Sequence, residues 1–115
     1  MYHITSHKER QRLVLEENIT AQNVGNFAVI MKQLLSQTTP MVTLDLRKID
    51  QHYNSLCAEA IVVIAKAHRT CIERFGEFNI ETANPLFKQL MYYLDVNYIM
   101  QISGVPKPAE ADSSA

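Results

Sequence analysis

The chain has 115 residues, of which 47% are apolar and 20% are charged, and its formal net charge is −1. This length fits one domain with a hydrophobic core of its own. A charge so close to neutral gives no general attraction to nucleic acid or to a membrane surface, and no apolar run approaches the roughly 20 residues of a membrane span. We therefore expect one soluble domain that binds no nucleic acid and does not insert into a membrane.

The cysteines and the first residues predict the compartment. The opening segment, MYHITSHKERQR, lacks the apolar stretch of a signal peptide. Cys57 and Cys71 fall in one predicted helix, where a rise of ~1.5 Å per residue separates them by about 21 Å, too far for a disulfide bond. Free thiols without an export signal are typical of a reducing compartment. The sequence therefore predicts a cytoplasmic protein.

The first half of the chain predicts two strands, a helix and a third strand. Residues 2–6 and 13–19 favour strands joined by a polar hairpin connection. Thr20 is a candidate N-cap for the helix that follows. The apolar stripe of this helix contains Val24, Phe27, Ile30, Met31, Leu34 and Leu35. Residues 38–40 (Thr-Thr-Pro) end the helix, and residues 41–46 predict a central strand.

The second half begins with what the apolar spacing predicts as the longest helix, residues 55–75. We expect Ile64 and Phe75 to lie in the core on its apolar stripe, and Gly76 to end it. Residues 78–82 then alternate as a short strand does.

The last part of the chain predicts a third helix and a short return. Asn84 is a candidate cap with Pro85 at the first helical position. The apolar stripe of this helix contains Phe87, Leu90, Met91 and Leu94. Residues 98–102 predict a short strand or turn after it.

These elements give the order β-β-α-β-α-β-α, which favours a single α/β domain with a small mixed sheet covered by helices. We place this domain in residues 1–103. Residues 104–115 are dominated by Pro, Ala and Ser, a composition that cannot bury enough apolar surface to order itself. The sequence therefore predicts a disordered and dispensable tail.

The element order and three segments resemble the STAS domain, the fold of bacterial anti-sigma factor antagonists and of the cytoplasmic tails of sulfate transporters. Residues 42–50 (VTLDLRKID) are similar to the central strand of the family and its exit. Residues 75–77 (FGE) are similar to the exit of its second helix, and residues 83–99 (ANPLFKQLMYYLDVNYI) to its last helix. The resemblance covers nearly the whole chain except the tail, and it implies a STAS-like fold that binds protein partners.

The resemblance places the regulatory surface in residues 50–59. Typical members carry Asp-Ser-Ser-Gly here, with the first serine phosphorylated, whereas this chain has QHYNSLC after Asp50. In an alignment from Asp50, Tyr53 and Asn54 replace the Asp and the acceptor Ser, and an alignment from the end of the helix also leaves no serine there. The usual acceptor is therefore absent or displaced to Ser55. The candidate partner-binding residues are Asp50, His52, Tyr53, Asn54, Ser55 and Glu59.

Two interpretations are open for the start of the long helix. Ser55 or Asn54 is most often a plain N-cap at such a position. A phosphate on Ser55 would instead add about −1.5 to −2 charges beside the positive end of the helix dipole, which would change the fit of a partner. Cys57 is either a small apolar residue or a thiol whose pKa the first helical turn lowers.

The remaining polar residues do not predict an enzyme. The acids, Asp95 among them, form no legible acid/base pair with a histidine, and we place His68 at the edge of a helix face. The isolated glycines exclude a Gly-rich phosphate loop. The four histidines lack metal-ligand spacing: His3, His7, His52 and His68. We therefore expect no metal, no cofactor and no catalytic residues.

The sequence thus predicts a regulatory protein-binding module resembling an anti-sigma factor antagonist in a bacterial partner-switching system. The resemblance implies a kinase-like anti-sigma factor as partner, which uses ATP while the antagonist binds no nucleotide. One alternative is a small STAS subunit of a membrane transporter, such as a lipid ABC exporter, that contacts the ATPase subunit. Another is an unrecognised small enzyme, which convergent buried polar groups in a deep pocket would favour. The identity of the partner, the oligomeric state and the pathway are left open.

Overall fold

The computed structural model of the chain describes the backbone of residues 2–103 and the side chains of residues 2–52, 54–90 and 92–95. Four strands and three helices follow one another in the predicted order. The strands are β1 (Tyr2–His7), β2 (Arg10–Leu15), β3 (Met41–Asp45) and β4 (Glu77–Glu81). The helices are α1 (Val24–Leu34), α2 (Ala58–Glu73) and α3 (Pro85–Ser103). The predicted class, an α/β domain with a small mixed sheet, is confirmed.

The strands form one sheet in the order β1-β2-β3-β4, in which β1 is antiparallel to β2 and the other neighbours are parallel. Leu13 pairs with Leu44, and Leu44 with Ile80, so one row of apolar side chains crosses three strands. The intervening positions carry Arg12, Thr43 and Asn79 on the opposite face, because strand side chains alternate. Two successive right-handed crossovers in one direction place α1 and α2 on the same face, which leaves the other face polar and open.

The hairpin turn is shorter than the sequence predicted. His7 pairs with Arg10, so only Lys8 and Glu9 connect the strands, and Lys8 takes the left-handed conformation (φ 59°) that such turns require. β2 ends at Leu15 instead of continuing to residue 19.

Helix α1 begins later than predicted. The Thr20 hydroxyl accepts a hydrogen bond from the Gln22 amide (3.2 Å), so it caps a preceding turn, while Asn23 occupies the N-cap position of the helix without a side-chain cap bond. The predicted apolar stripe is confirmed. Its buried members are Phe27, Ile30, Met31 and Leu34.

Helix α2 spans fewer residues than predicted and loses its expected core residue at the C-terminal end. Ile64 is fully buried, as expected, but the prediction for Phe75 is wrong: its side chain is 91% exposed. The chain leaves the helix through Phe75 in a left-handed conformation (φ 62°), which turns the side chain away from the stripe. Gly76 then donates to the Cys71 carbonyl (2.7 Å). A Cβ on Gly76 would lie 1.9 Å from the Pro40 carbonyl oxygen, so glycine is required here by close approach.

Helix α3 begins as predicted, because the Asn84 Oδ1 accepts a hydrogen bond from the Leu86 amide (3.0 Å). It continues to Ser103, so the prediction of a strand or turn at residues 98–102 is wrong. At 19 residues it is longer than α2, which has 16. The predicted tail lies outside the described residues.

Candidate functional site

The loop between β3 and α2 is anchored at its first residue. Asp50 is only 7% exposed, and its Oδ2 accepts hydrogen bonds from the Thr82 hydroxyl (2.7 Å) and the Ala83 amide (2.7 Å). These two donors hold the pKa of Asp50 below its usual value. The Asn84 side chain donates to the Asp50 carbonyl (2.6 Å). The expectation that Asp50 faces a partner is therefore wrong: it ties the loop to the start of α3.

The other end of the loop is anchored at Ser55, which is completely buried. Its hydroxyl donates to the His52 carbonyl (2.8 Å), and its own carbonyl accepts from the Ile19 amide (2.8 Å). The Cys57 amide donates to the Ile19 carbonyl (2.9 Å), and Cys57 occupies the N-cap position of α2. The N-cap prediction for Ser55 is therefore wrong, and a kinase could reach its hydroxyl only after this end of the loop opened.

Between the two anchors, the loop presents polar side chains to solvent. Gln51, His52 and Asn54 are exposed, and Glu59 is exposed in the first turn of α2. The backbone of Tyr53 opens a short 3-10 turn, Tyr53–Ser55; its side chain is not among those described. Of the predicted residues, His52, Asn54 and Glu59 are therefore exposed, whereas Asp50 and Ser55 are buried and hold the loop in place.

An apolar groove between α2 and α3 adjoins this loop. It is lined by Ile61, Leu86, Phe87, Gln89, Leu90 and Tyr93. Ile61 lies one helical turn after Cys57, and Leu86 lies two residues after Asn84, which contacts Asp50. Both anchored ends of the loop therefore connect to the helix starts that border the groove.

The rim of this groove exposes large apolar side chains. Leu86 and Tyr93, which both line the groove, are each 58% exposed. Contiguous exposed apolar surface marks sites of interaction. The sequence did not mark Leu86 as a surface residue, because it is an apolar residue in a strongly helical segment and its direction depends on how α3 packs. We call the groove and the exposed loop residues together the α2–α3 surface.

A buried histidine fixes the two helices below this surface. His68 is 2% exposed, and its Nε2 lies 2.6 Å from the Asp95 Oδ1. The Phe78 ring packs edge-on against the imidazole, with centroids 6.4 Å apart. The prediction that His68 lies at the edge of a helix face is wrong, as is the expectation that Asp95 has no histidine partner. The two residues are 27 positions apart on different helices, so sequence spacing gave no signal of the pair.

The open face of the sheet carries a network of charges. Arg12 contacts both Asp45 (3.0 Å) and Glu81, Arg47 contacts Asp45 (2.8 Å), and Arg10 pairs with Glu77. Hydrogen bonds from Arg47 outweigh the effect of burial and lower the pKa of Asp45 to about 2. Each of these charges has an opposite charge beside it, so the face offers no strong field of one sign.

A hollow of about 260 Å³ lies between α1 and the hairpin, with a floor of apolar side chains that includes Leu13, Leu15 and Phe27. Its polar lining consists of Glu17, Asn23 and Asn26. The Asn23 carboxamide is engaged by the Thr20 amide (2.7 Å) and the Asn18 carbonyl (2.9 Å). The hollow is therefore an apolar surface at the flank of the hairpin.

Comparison with known proteins adds no assignment: the sequence matches no protein-family model, and no curated protein is significantly similar to it. In the part of the chain that the structure describes, no cluster of three or more His, Cys, Asp or Glu residues could hold a metal ion. No helix within residues 2–103 is both long and apolar enough to cross a membrane.

Proposed function

We propose that this protein is a regulatory protein-binding module that contacts its partner through the α2–α3 surface. The observation that carries the proposal is an exposed apolar groove bordered by the two helix starts to which the ends of an anchored loop connect. Leu86 and Tyr93 supply the apolar area that binding would remove from water. His52, Asn54 and Glu59 supply a polar rim, which is the usual arrangement of a protein interface.

Anchoring gives the surface a defined shape before any partner arrives. Asp50 and Ser55 hold the loop through hydrogen bonds of 2.6 to 2.8 Å. A loop that is already ordered avoids the entropy cost of ordering on association, which otherwise weakens binding. The arrangement therefore favours binding of a partner at this site rather than catalysis.

The resemblance to STAS domains supports the class of partner. It points to a cytoplasmic anti-sigma factor antagonist in a bacterial partner-switching system, with a kinase-like anti-sigma factor as partner. Because Ser55 is buried, we propose regulation without phosphorylation of this serine. The alternative partner is the ATPase subunit of a membrane transporter, which would use the same surface.

Charge substitutions on the groove test the proposal. The partner is recovered by affinity purification with the wild-type chain, identified by mass spectrometry, and titrated by calorimetry against purified variants. Tyr93→Lys and Leu86→Lys should each weaken binding by about tenfold or more, because a charge enters an apolar contact. Val29→Lys is the matched control: Val29 is 57% exposed but lies on α1, so its variant should bind as the wild type does.

The identity of the recovered protein separates the two partners. A kinase-like protein supports the partner-switching role, and a transporter ATPase supports the alternative. If both groove variants bind with wild-type affinity while thermal melting shows them folded, the α2–α3 surface is not the interface.

A further inference from the structure

The first strand is an edge without the usual protection. In the described part of the chain β1 pairs only with β2, and all six of its residues are exposed. Edge strands normally carry Lys, Pro, inward charges or a covering element that prevents further pairing. The opposite edge follows this rule, because β4 begins and ends with glutamate and α3 packs against it. Strand β1, with the sequence YHITSH, has no such protection within residues 2–103.

The register of the hairpin identifies which backbone groups of β1 are directed outward. In a two-residue turn the carbonyl of the first flanking residue, here His7, bonds to the amide of the last, Arg10. Because bonded and outward residues alternate along an antiparallel strand, the amides and carbonyls of Tyr2, Ile4 and Ser6 point away from β2. These groups are available to another strand.

The side chains of the same residues leave apolar surface in solvent. Tyr2 pairs with Leu15 and Ile4 with Leu13, so both lie on the face that carries the helices. Each is nevertheless 41% exposed, because the helix layer stops short of β1. Tyr2 also borders the hollow beside α1.

We propose that β1 pairs antiparallel with β1 of a second copy of this chain, around a two-fold axis at Ile4. This register places Ile4 opposite Ile4 of the second copy, Tyr2 opposite Ser6, and His3 opposite Thr5. Every outward amide and carbonyl of residues 2, 4 and 6 then finds a partner, and no formally charged side chain opposes another. The two four-stranded sheets become one continuous sheet.

The strand is therefore self-complementary, which a symmetric dimer requires. The apolar pair at the axis removes the two Ile4 side chains from water together. A six-residue strand buries less than the ~1,000 Å² of stable interfaces, so we expect dissociation on the order of micromolar concentrations. Because β1 and β4 are opposite edges of the sheet, the dimer leaves the α2–α3 surface free.

Cross-linking tests the register directly. In the proposed pair the two Ile4 Cα atoms lie about 5.5 Å apart, whereas the two Tyr2 Cα atoms are offset by four residues, about 14 Å at ~3.4 Å per residue. In a Cys57→Ser background, Ile4→Cys should form covalent dimers with a short bifunctional thiol reagent. Tyr2→Cys, the matched control, should stay monomeric under the same conditions. Efficient cross-linking of Tyr2→Cys but not of Ile4→Cys would overturn the register.

Sedimentation equilibrium over micromolar to millimolar concentrations tests the dimer itself. The wild-type chain should shift from monomer to dimer, and Ile4→Lys should remain monomeric because two ammonium groups would meet at the axis. Ser6→Pro is a second variant, which removes an outward amide while sparing the pairing with β2. Leu86→Lys, which disturbs the α2–α3 surface alone, should dimerise as the wild type does. A wild-type chain that stays monomeric throughout, or dimers that survive both β1 variants, would overturn the proposal.

Discussion

At the scale of single residues, the structure reverses the expected role of Ser55. The sequence marks it as an exposed helix cap or phosphoacceptor, since serine is common at both. The structure buries it and uses its hydroxyl to close the 3-10 turn onto the His52 carbonyl. The difference arises because α2 starts at Ala58, three residues later than predicted, so Ser55 belongs to the loop and not to the helix.

The two classical substitutions at this serine should therefore affect stability. Ser55→Ala should cost about 1 kcal/mol through the lost hydrogen bond. Ser55→Asp should cost more than about 3 kcal/mol, because it buries a charge without a partner. Asn54→Asp adds the same charge at an exposed neighbour and should change the free energy of unfolding by less than about 0.5 kcal/mol. Urea unfolding measures all three, and a Ser55→Asp protein as stable as the wild type would contradict the burial.

Replacing the small Gly76 by alanine should reduce the free energy of unfolding more than replacing the large Phe75 does. Phe75→Ala removes a side chain that is 91% exposed, so we expect a change below about 0.5 kcal/mol. Gly76→Ala brings a methyl group against the Pro40 carbonyl, 1.9 Å away, which forces the backbone apart and should cost more than about 2 kcal/mol. Ile64→Ala, at a fully buried position, is the positive control with an expected loss of 2–5 kcal/mol, roughly that of other large-to-small core changes. Thermal and urea unfolding give the order.

At the scale of elements, three strands are joined across the open face by the ion pairs that Arg12 forms with Asp45 and Glu81. The pKa of Asp45 is lowered to about 2 by hydrogen bonds from Arg47 and then Arg12, so the charged form stabilises the folded state. This contribution is present above the ordinary pKa near 4 and is lost as the pH falls through about 2. A shift of this size corresponds to roughly 2 kcal/mol.

Asp45→Asn should therefore lower the free energy of unfolding by roughly 2 kcal/mol at neutral pH. Below about pH 2 the variant and the wild type should converge, since the wild-type carboxyl is then protonated. Urea unfolding as a function of pH measures the difference. As a control, NMR titration of Arg47→Gln should show the Asp45 pKa rising towards its ordinary value. Equal stability of Asp45→Asn and wild type at neutral pH would show that the network contributes nothing.

The elements themselves were largely predictable, and their ends were not. Periodicity located all three helices and the alternation of the sheet. Phe27 on α1 and Ile64 on α2 belong to apolar repeats with helical spacing, and Leu44 belongs to the alternating pattern of β3. The ends depend on contacts distant in sequence. Helix α2 ends where Gly76 must pass Pro40, and β2 ends early because Ile19 pairs with Leu56 instead.

At the scale of the whole molecule, the candidate surface could be predicted only in part. The position of the loop followed from the order of elements, and His52, Asn54 and Glu59 are exposed as expected. The apolar half of the surface was not predicted, since Leu86 is the kind of residue that usually lies in a core. Its exposure depends on the angle at which α3 meets α2, and the contact between buried His68 and Asp95 that joins these helices leaves no trace in a linear pattern.

The tie between Asp50 and the start of α3 has a consequence for how the protein acquires its function during synthesis. The β1–β2 hairpin is a local pairing that forms on the microsecond scale, whereas the parallel pairs must wait for their crossover helices. Asp50 receives its hydrogen bonds from Thr82, Ala83 and Asn84, which leave the ribosome late. The proposed contact loop is therefore among the last parts of the chain to reach its final shape. A nascent or truncated chain that has not yet placed α3 lacks the hydrogen bonds that hold this loop, so the proposed contact surface is finished only when α3 is in place.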